Sequence, residues 1–169
     1  NSNLEVTAVL RRIVVRAVEL VEAEQGLVGL LEKGVIQFRE RWKGEAWDAV
    51  ELTFGPGEGL AGWILETRRP YLSNTVAEDP RALQEVVQAL GVRAVLAQPI
   101  LSRAGEIVGI LEVHNKRGGE PFCSTDGQLL SLLANQAAIA IENARLFAGL
   151  TRQSADLEAK VRERTAALE

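Results

Sequence analysis

IVGILEVHNKRGGEPFCSTDGQLL, residues 107–130, reads as an apolar strand that runs through a glycine loop into a helix. Ile107 to Val113 is the strand, and Gly118 and Gly119 supply the loop. Asp126 falls in the first turn of the helix, where a carboxylate meets the positive end of the helix dipole. Thr125 followed by Gln128 fits a capping box and sets the expected helix start. Lys116 at the strand end and Asp126 are ten residues apart, close enough for the loop to fold back and pair them. That pair reads as a structural clip rather than a ligand contact.

Working toward the N-terminus, Ala94 to Leu101 is a second strand, joined to the first by the hairpin loop 102–106. Val6, Leu10, Ile13, Ala17 and Leu20, widened by Val14 and Val21, repeat at helical spacing and predict an amphipathic helix of about five turns. Gly26 is the expected stop. Leu27 to Leu31 and Val35 to Trp42 form a predicted hairpin with Gly34 in its turn, and Ala49 to Phe54 a further strand. Gly55-Pro56-Gly57-Glu58-Gly59 breaks regular structure before a short buried helix, Leu60 to Leu65. Tyr71 to Asn74 is a short extended piece. Asp79 as cap and Pro80 at the first helical position predict a helix running to Leu90 and ending at Gly91.

The glycine run does not read as a phosphate loop. It ends in Gly-Leu-Ala where a Walker loop needs Gly-Lys-Ser/Thr. Gly57, Gly59 and Gly62 satisfy a bare Gly-x-Gly-x-x-Gly, but Arg68-Arg69-Pro70 ends the helix after hardly two turns, so no βαβ crossover can form.

Asn115, Lys116, Phe122 and Asp126, together with the Gly-Leu-Ala-Gly-Trp helix at 59–63 and its Arg-Pro turn, resemble the GAF family of small-molecule-sensing domains; Gly127 stands where that family often has Glu. The resemblance spans roughly residues 4–147. It implies an α+β fold with a central antiparallel sheet, terminal helices on one face and a helix and loop crossover segment on the other. It also implies a ligand cavity between sheet and crossover segment, which Trp63, Leu72, Asn74, Asp79, Gln98, Glu112 and His114 would line by position and polarity. The ligand would be a cyclic nucleotide or another small molecule, and no cofactor is specified.

From Thr125 onward the helical pattern scarcely pauses. Ala140, Asn143, Phe147, Leu150, Ser154, Leu157, Val161, Arg164 and Leu168 fall on heptad a and d positions. Residues 1–147 are therefore read as the sensor domain and 148–169 as a coiled-coil signalling helix, with a homodimer through the terminal helices. The helix after Glu142-Asn143-Ala144-Arg145 looks like the connection from a GAF sensor to a histidine kinase or similar output. The alternative is a ligand-free structural dimerisation module.

Composition narrows the rest. At 169 residues with 47% hydrophobic content the chain can bury one real core. Its net charge of −4, with basic residues spread along it, gives no case for nucleic acid. No apolar run reaches the roughly 20 residues of a bilayer span, so no membrane contact is expected. The single cysteine, Cys123, precludes an intrachain disulfide and a multi-cysteine metal site, and points to a reducing, cytoplasmic compartment. A lone His114 beside a lone Cys123 makes no convincing catalytic or metal set, so no enzyme activity is expected of this fragment. The family's methionine sulfoxide reductase branch relies on several cysteines, and its bilin-binding members use a cysteine in a different context. An Asn1 start and an end inside a helical pattern lead to the expectation of a piece of a longer protein.

Overall fold

The computed structural model describes residues 2–168. Asn1 and Glu169, the outer bounds of the two predicted segments, lie outside the described residues, as does the side chain of Leu168. Helix α1 (Ser2–Leu20) is followed by β1 (Ala23–Glu32), β2 (Val35–Trp42), β3 (Trp47–Phe54), α2 (Gly59–Thr67) and β4 (Tyr71–Ser73). A 3-10 turn, Val76–Glu78, precedes α3 (Gln84–Leu90), β5 (Val95–Leu101) and β6 (Ile107–Lys116), and α4 (Ser124–Leu168) closes the chain. The sheet order is β3-β2-β1-β6-β5-β4 with every neighbour antiparallel.

Each face of the sheet carries its own core. On one, Leu10, Val14, Ala17 and Val18 of α1 and Leu130, Leu133, Ala137 and Ile141 of α4 pack with Leu96, Leu111 and Val113 of the sheet. On the other, Ile64 of α2, Val76 of the 3-10 turn and Val87 of α3 pack with Leu27, Phe38, Val95 and Ile110. The α+β architecture expected from the sequence is the one observed. Central strand β6 is buried on both sides through almost its whole length.

Several local expectations are corrected. Gly26 does not stop α1, which ends at Leu20, and Glu22 makes the turn with φ of 56°. Gly26 sits inside β1, where a Cβ would come within 2.7 Å of Val18 Cγ2, so its missing side chain seats α1 on the sheet. Leu20, placed on the inward stripe, is exposed, and Val18 and Val21 are buried in its stead. The tight turn between β1 and β2 needs two left-handed residues, Lys33 and Gly34, as a two-residue hairpin loop does. Asp79 caps no helix. Its carboxylate accepts the Arg81 N–H and is held by Tyr71 and Arg81, which fixes an Asx turn, and α3 begins only at Gln84. The α4 N-terminus is closed by Asp126, whose Oδ2 accepts the Cys123 N–H at 2.9 Å, rather than by Thr125 and Gln128.

The glycine spacing at 57–62 has a packing cause. The Gly57 N–H donates to the Gly62 carbonyl and the Gly62 N–H to the Glu58 carbonyl, and a Cβ on Gly62 would lie 2.5 Å from the Gly55 carbonyl oxygen. Backbone cannot retreat as a flexible side chain does. Gly62→Ala will therefore destabilise the domain by about 2 kcal/mol, within the usual range for overpacking, readable as a lower urea midpoint at constant m.

Candidate functional site

Between the sheet and the α2 to α3 segment lies a cavity of about 50 Å³. Its walls are mainly apolar, with Leu27, Phe38 and Val95 from the sheet and Leu83, Val86 and Leu90 from the segment above. Two polar side chains enter it from β6, Glu112 and His114. They share a face because strand side chains alternate with a period of two. Ile110 belongs to that face as expected, but Val108 packs on the opposite core. A register shift explains the difference: Ile100 pairs with Gly109 and Leu101 with Ile107, leaving one extra residue in β6.

His114 and Glu112 end a buried polar chain that crosses the sheet. Arg41 of β2 donates to Asp48 Oδ2 and to Oε1 of Gln25. Gln25 of β1 donates through Nε2 to the Leu90 carbonyl at 3.1 Å and meets His114 Nδ1 at 2.9 Å. His114 Nε2 in turn meets Glu112 Oε2 at 3.0 Å. The amide of Gln25 has one workable orientation. Turning it over would set its NH2 against the Arg41 guanidinium and its oxygen against the Leu90 carbonyl. Nε2 of Gln25 is thus a donor, Nδ1 of His114 an acceptor, and the imidazole is the neutral tautomer that donates from Nε2 to Glu112.

The other five candidates lie elsewhere. Trp63 packs edge-on against Tyr71, with the Arg81 guanidinium 4.7 Å from its ring centroid. Leu72 is exposed on the edge strand β4. Asn74 brackets Phe122, donating to its carbonyl and accepting its N–H. Gln98 reaches toward α4 on the opposite face and donates to the Gly127 carbonyl. Asp79 accepts from Tyr71 Oη and from Arg81. Gln25 is not among the sequence candidates because Gly26 as the helix stop puts it at the end of the first helix and outside β1; Arg41 lies in the expected strand Val35 to Trp42, but no signal in the sequence pairs either residue with His114.

The Tyr71, Asp79 and Arg81 cluster carries clear electrostatic shifts. Burial, reinforced by its hydrogen bond to Asp79, pushes the Tyr71 hydroxyl up to about 12. Hydrogen bonds from Arg81 hold Asp79 down at about 2 despite partial burial. A carboxyl depressed in the folded state stabilises above its ordinary pKa of 3.8 and loses that contribution as pH falls through about 2. Since half of the Arg81 side chain is in solvent, screening reduces the gain to about 1 kcal/mol. Asp79→Asn will flatten the fall in melting temperature between pH 4 and pH 2, followed by circular dichroism.

Below the cavity, Asn115 at φ of 59° turns the end of β6. Its Oδ1 accepts the Arg93 and Ala94 N–H groups, and its Nδ2 donates to the Gly91 carbonyl. Lys116 Nζ donates to both oxygens of Asp126 at 3.0 and 2.9 Å. Phe122 is buried in the core beneath α1 and α4. Among the described residues no group of His, Cys, Asp and Glu is arranged to hold a metal ion, and no helix is long and apolar enough to cross a membrane.

The family described as GAF domain matches residues 3–142. The chain belongs to the GAF domain family. Its members are sensor and regulatory domains of signalling proteins. The chain is 30% identical over 105 residues to the dual 3',5'-cyclic-AMP and -GMP phosphodiesterase 11 of Drosophila melanogaster, a match covering 61% of this chain and 7% of that protein. The fold is similar to the GAF domain/HD domain protein of Geobacter sulfurreducens, with TM-score 0.70, 16% identity and coverage of 83% and 94% of the two chains. It is also similar to the Thermosynechococcus elongatus PixJ GAF domain in its blue-light absorbing form, with TM-score 0.70, 16% identity and coverage of 93% and 95%.

Proposed function

We propose that this GAF domain senses a small molecule in the cavity under α2 and α3, and passes its occupancy through α4 to an output module such as a histidine kinase. One observation carries the reading: cavity wall and exit helix are a single short stretch of chain. Glu112 and His114 line the cavity, Lys116 two residues later is clipped to Asp126, and Asp126 opens a helix that continues to Leu168. A ligand that moves the end of β6 moves the start of α4. In a homodimer through the terminal helices, that displacement favours one helix packing over another to the extent that the ligand binds the two states with different affinity.

The fly relative's name makes cyclic AMP and cyclic GMP ligands to test. At about 50 Å³ the cavity is far below the roughly 300 Å³ of an ordinary ligand pocket, so a nucleotide requires α2 and α3 to lift. The same small cavity favours the second reading, a dimerisation module filled by its own side chains. A thermal-shift screen of nucleotides and small metabolites separates the two, with pairwise spin-label distances measured between α4 helices. Sensing requires a compound that raises the melting temperature by mass action and alters the distance. A dimer that no compound stabilises belongs to the second reading.

A further inference from the structure

The polarity of the cavity specifies its ligand more narrowly than the fold does. Glu112 is 9% exposed and spends only Oε2 on protein, as the acceptor from His114. Oε1 accepts no hydrogen bond from a described residue. It is not sealed in, because no buried side-chain nitrogen or oxygen among the described residues lacks a partner, and the accessible space beside Glu112 is the cavity. Gln25 takes the Nδ1 of the histidine, so its one N–H is spent on Oε2. Neither lysine nor arginine lines the cavity. The wall thus presents one carboxylate oxygen without a protein partner in a mainly apolar chamber. Leaving such an acceptor buried is costly until a cation or strong donor reaches it.

We infer that the cavity, enlarged by the same lifting of α2 and α3, binds a small organic cation, an ammonium or amidinium group on a compact apolar body, with the cation on Glu112 Oε1 and the body against Phe38, Leu83 and Val86. This rests on the sensor reading of the same cavity and adds the ligand class. His114 is a positioning residue: its N–H holds Oε2, which leaves Oε1 turned to the ligand. An anion, including the phosphate of a cyclic nucleotide, would face the carboxylate with no basic side chain to meet it.

The test is titration calorimetry on the whole 169-residue chain with butylammonium and benzamidinium, against butyrate, benzoate, butanol, cyclic AMP and cyclic GMP. One of the cations binds, and nuclear Overhauser contacts place it beside the Phe38 ring. Glu112→Gln keeps the shape and still accepts from His114, and it weakens cation binding about 10- to 100-fold, the effect of removing a charged hydrogen-bond partner. Unchanged cation affinity in Glu112→Gln, the absence of contacts to Phe38 in the wild type, or tighter binding of an anion or alcohol overturns the cation assignment and leaves sensing standing. Failure of every probe to bind overturns the cation assignment, while the sensor reading is decided separately by the thermal-shift screen and the α4 distances.

Discussion

Asp126→Ala will lower the unfolding free energy by about 3–4 kcal/mol, the cost of removing one partner of a buried ion pair. The side chains of Lys116 and Asp126 are only 13% and 7% exposed, so this is not the surface pair whose loss is worth at most about 1 kcal/mol. Removing the carboxylate strands the Lys116 ammonium against the core and also deprives the Cys123 N–H of its acceptor. Burial pushes the Asp126 carboxyl up, yet the hydrogen bonds from Lys116 and the Cys123 N–H outweigh it and hold the group below its usual value. The Lys116 ammonium is raised in turn, chiefly by its hydrogen bond to Asp126. A depressed carboxyl stabilises above the unfolded carboxylate range, and its contribution disappears as pH falls through the lower folded value. Urea denaturation at pH 7 should therefore show the full penalty, and the difference between wild type and variant should narrow in acid. Lys116→Met, which keeps the apolar stem, will be milder, because Asp126 retains the Cys123 N–H. A loss under 1 kcal/mol for Asp126→Ala would mean that the clip behaves as a solvated pair and does not couple β6 to α4.

That clip was legible because both partners sit at element ends whose positions are set by strong local signals: an apolar strand before it and a long helical repeat after it. The sheet with helices on both faces was legible for the same reason, since the strand and helix periods of α1, β2, β5, β6 and α4 differ plainly. Elements were misread where a side chain does two things at once. Asp79 before Pro80 has the sequence of a helix cap, but Tyr71, eight residues earlier, and Arg81 claim its carboxylate. Gly26 looks like a helix terminator, while its role is to let Val18 approach the sheet. At the candidate site, Glu112 and His114 reach the cavity because strand alternation carries local information. Trp63, Asn74 and Gln98 were chosen on polarity, and partners far along the chain decide where they point: Phe122 for Asn74 and Gly127 for Gln98. Gln25 is 89 residues from His114, a separation across which one sequence carries no pairing signal.

In the homodimer proposed through the terminal helices, Leu150→Asp combined with Leu157→Asp will turn the dimer into a monomer, weakening self-association at least about 100-fold. The exit helix is the reason. At 45 residues, α4 is about 68 Å long at 1.5 Å per residue, and beyond Ile141 none of its described side chains is buried. Phe147, Leu150, Leu157 and Val161 are 60%, 65%, 64% and 56% exposed, and all four fall on the a and d positions of the heptad repeat. A single helix with that stripe gains little from propensity in water, whereas burying each such side chain contributes about 1.5–3 kcal/mol. Leu132 and Ile139, likewise exposed, continue the apolar surface along the part of α4 that lies on the domain, so a partner helix can pack over both regions. In that proposed dimer, Ser154 and Arg164 would interrupt the seam and hold the association below that of an ideal coiled coil. Two aspartates at neighbouring d positions would place four carboxylates in the paired seam, and like charges there are repelled as well as desolvated. Sedimentation equilibrium will show the mass halved, and the far-ultraviolet helix signal will fall by the portion of α4 that depends on its partner. The sheet domain, whose core ends at Ile141, will keep its melting transition. A wild-type chain that sediments as a monomer at 100 μM, or a double variant that remains dimeric, would remove α4 as the route by which the cavity reaches an output.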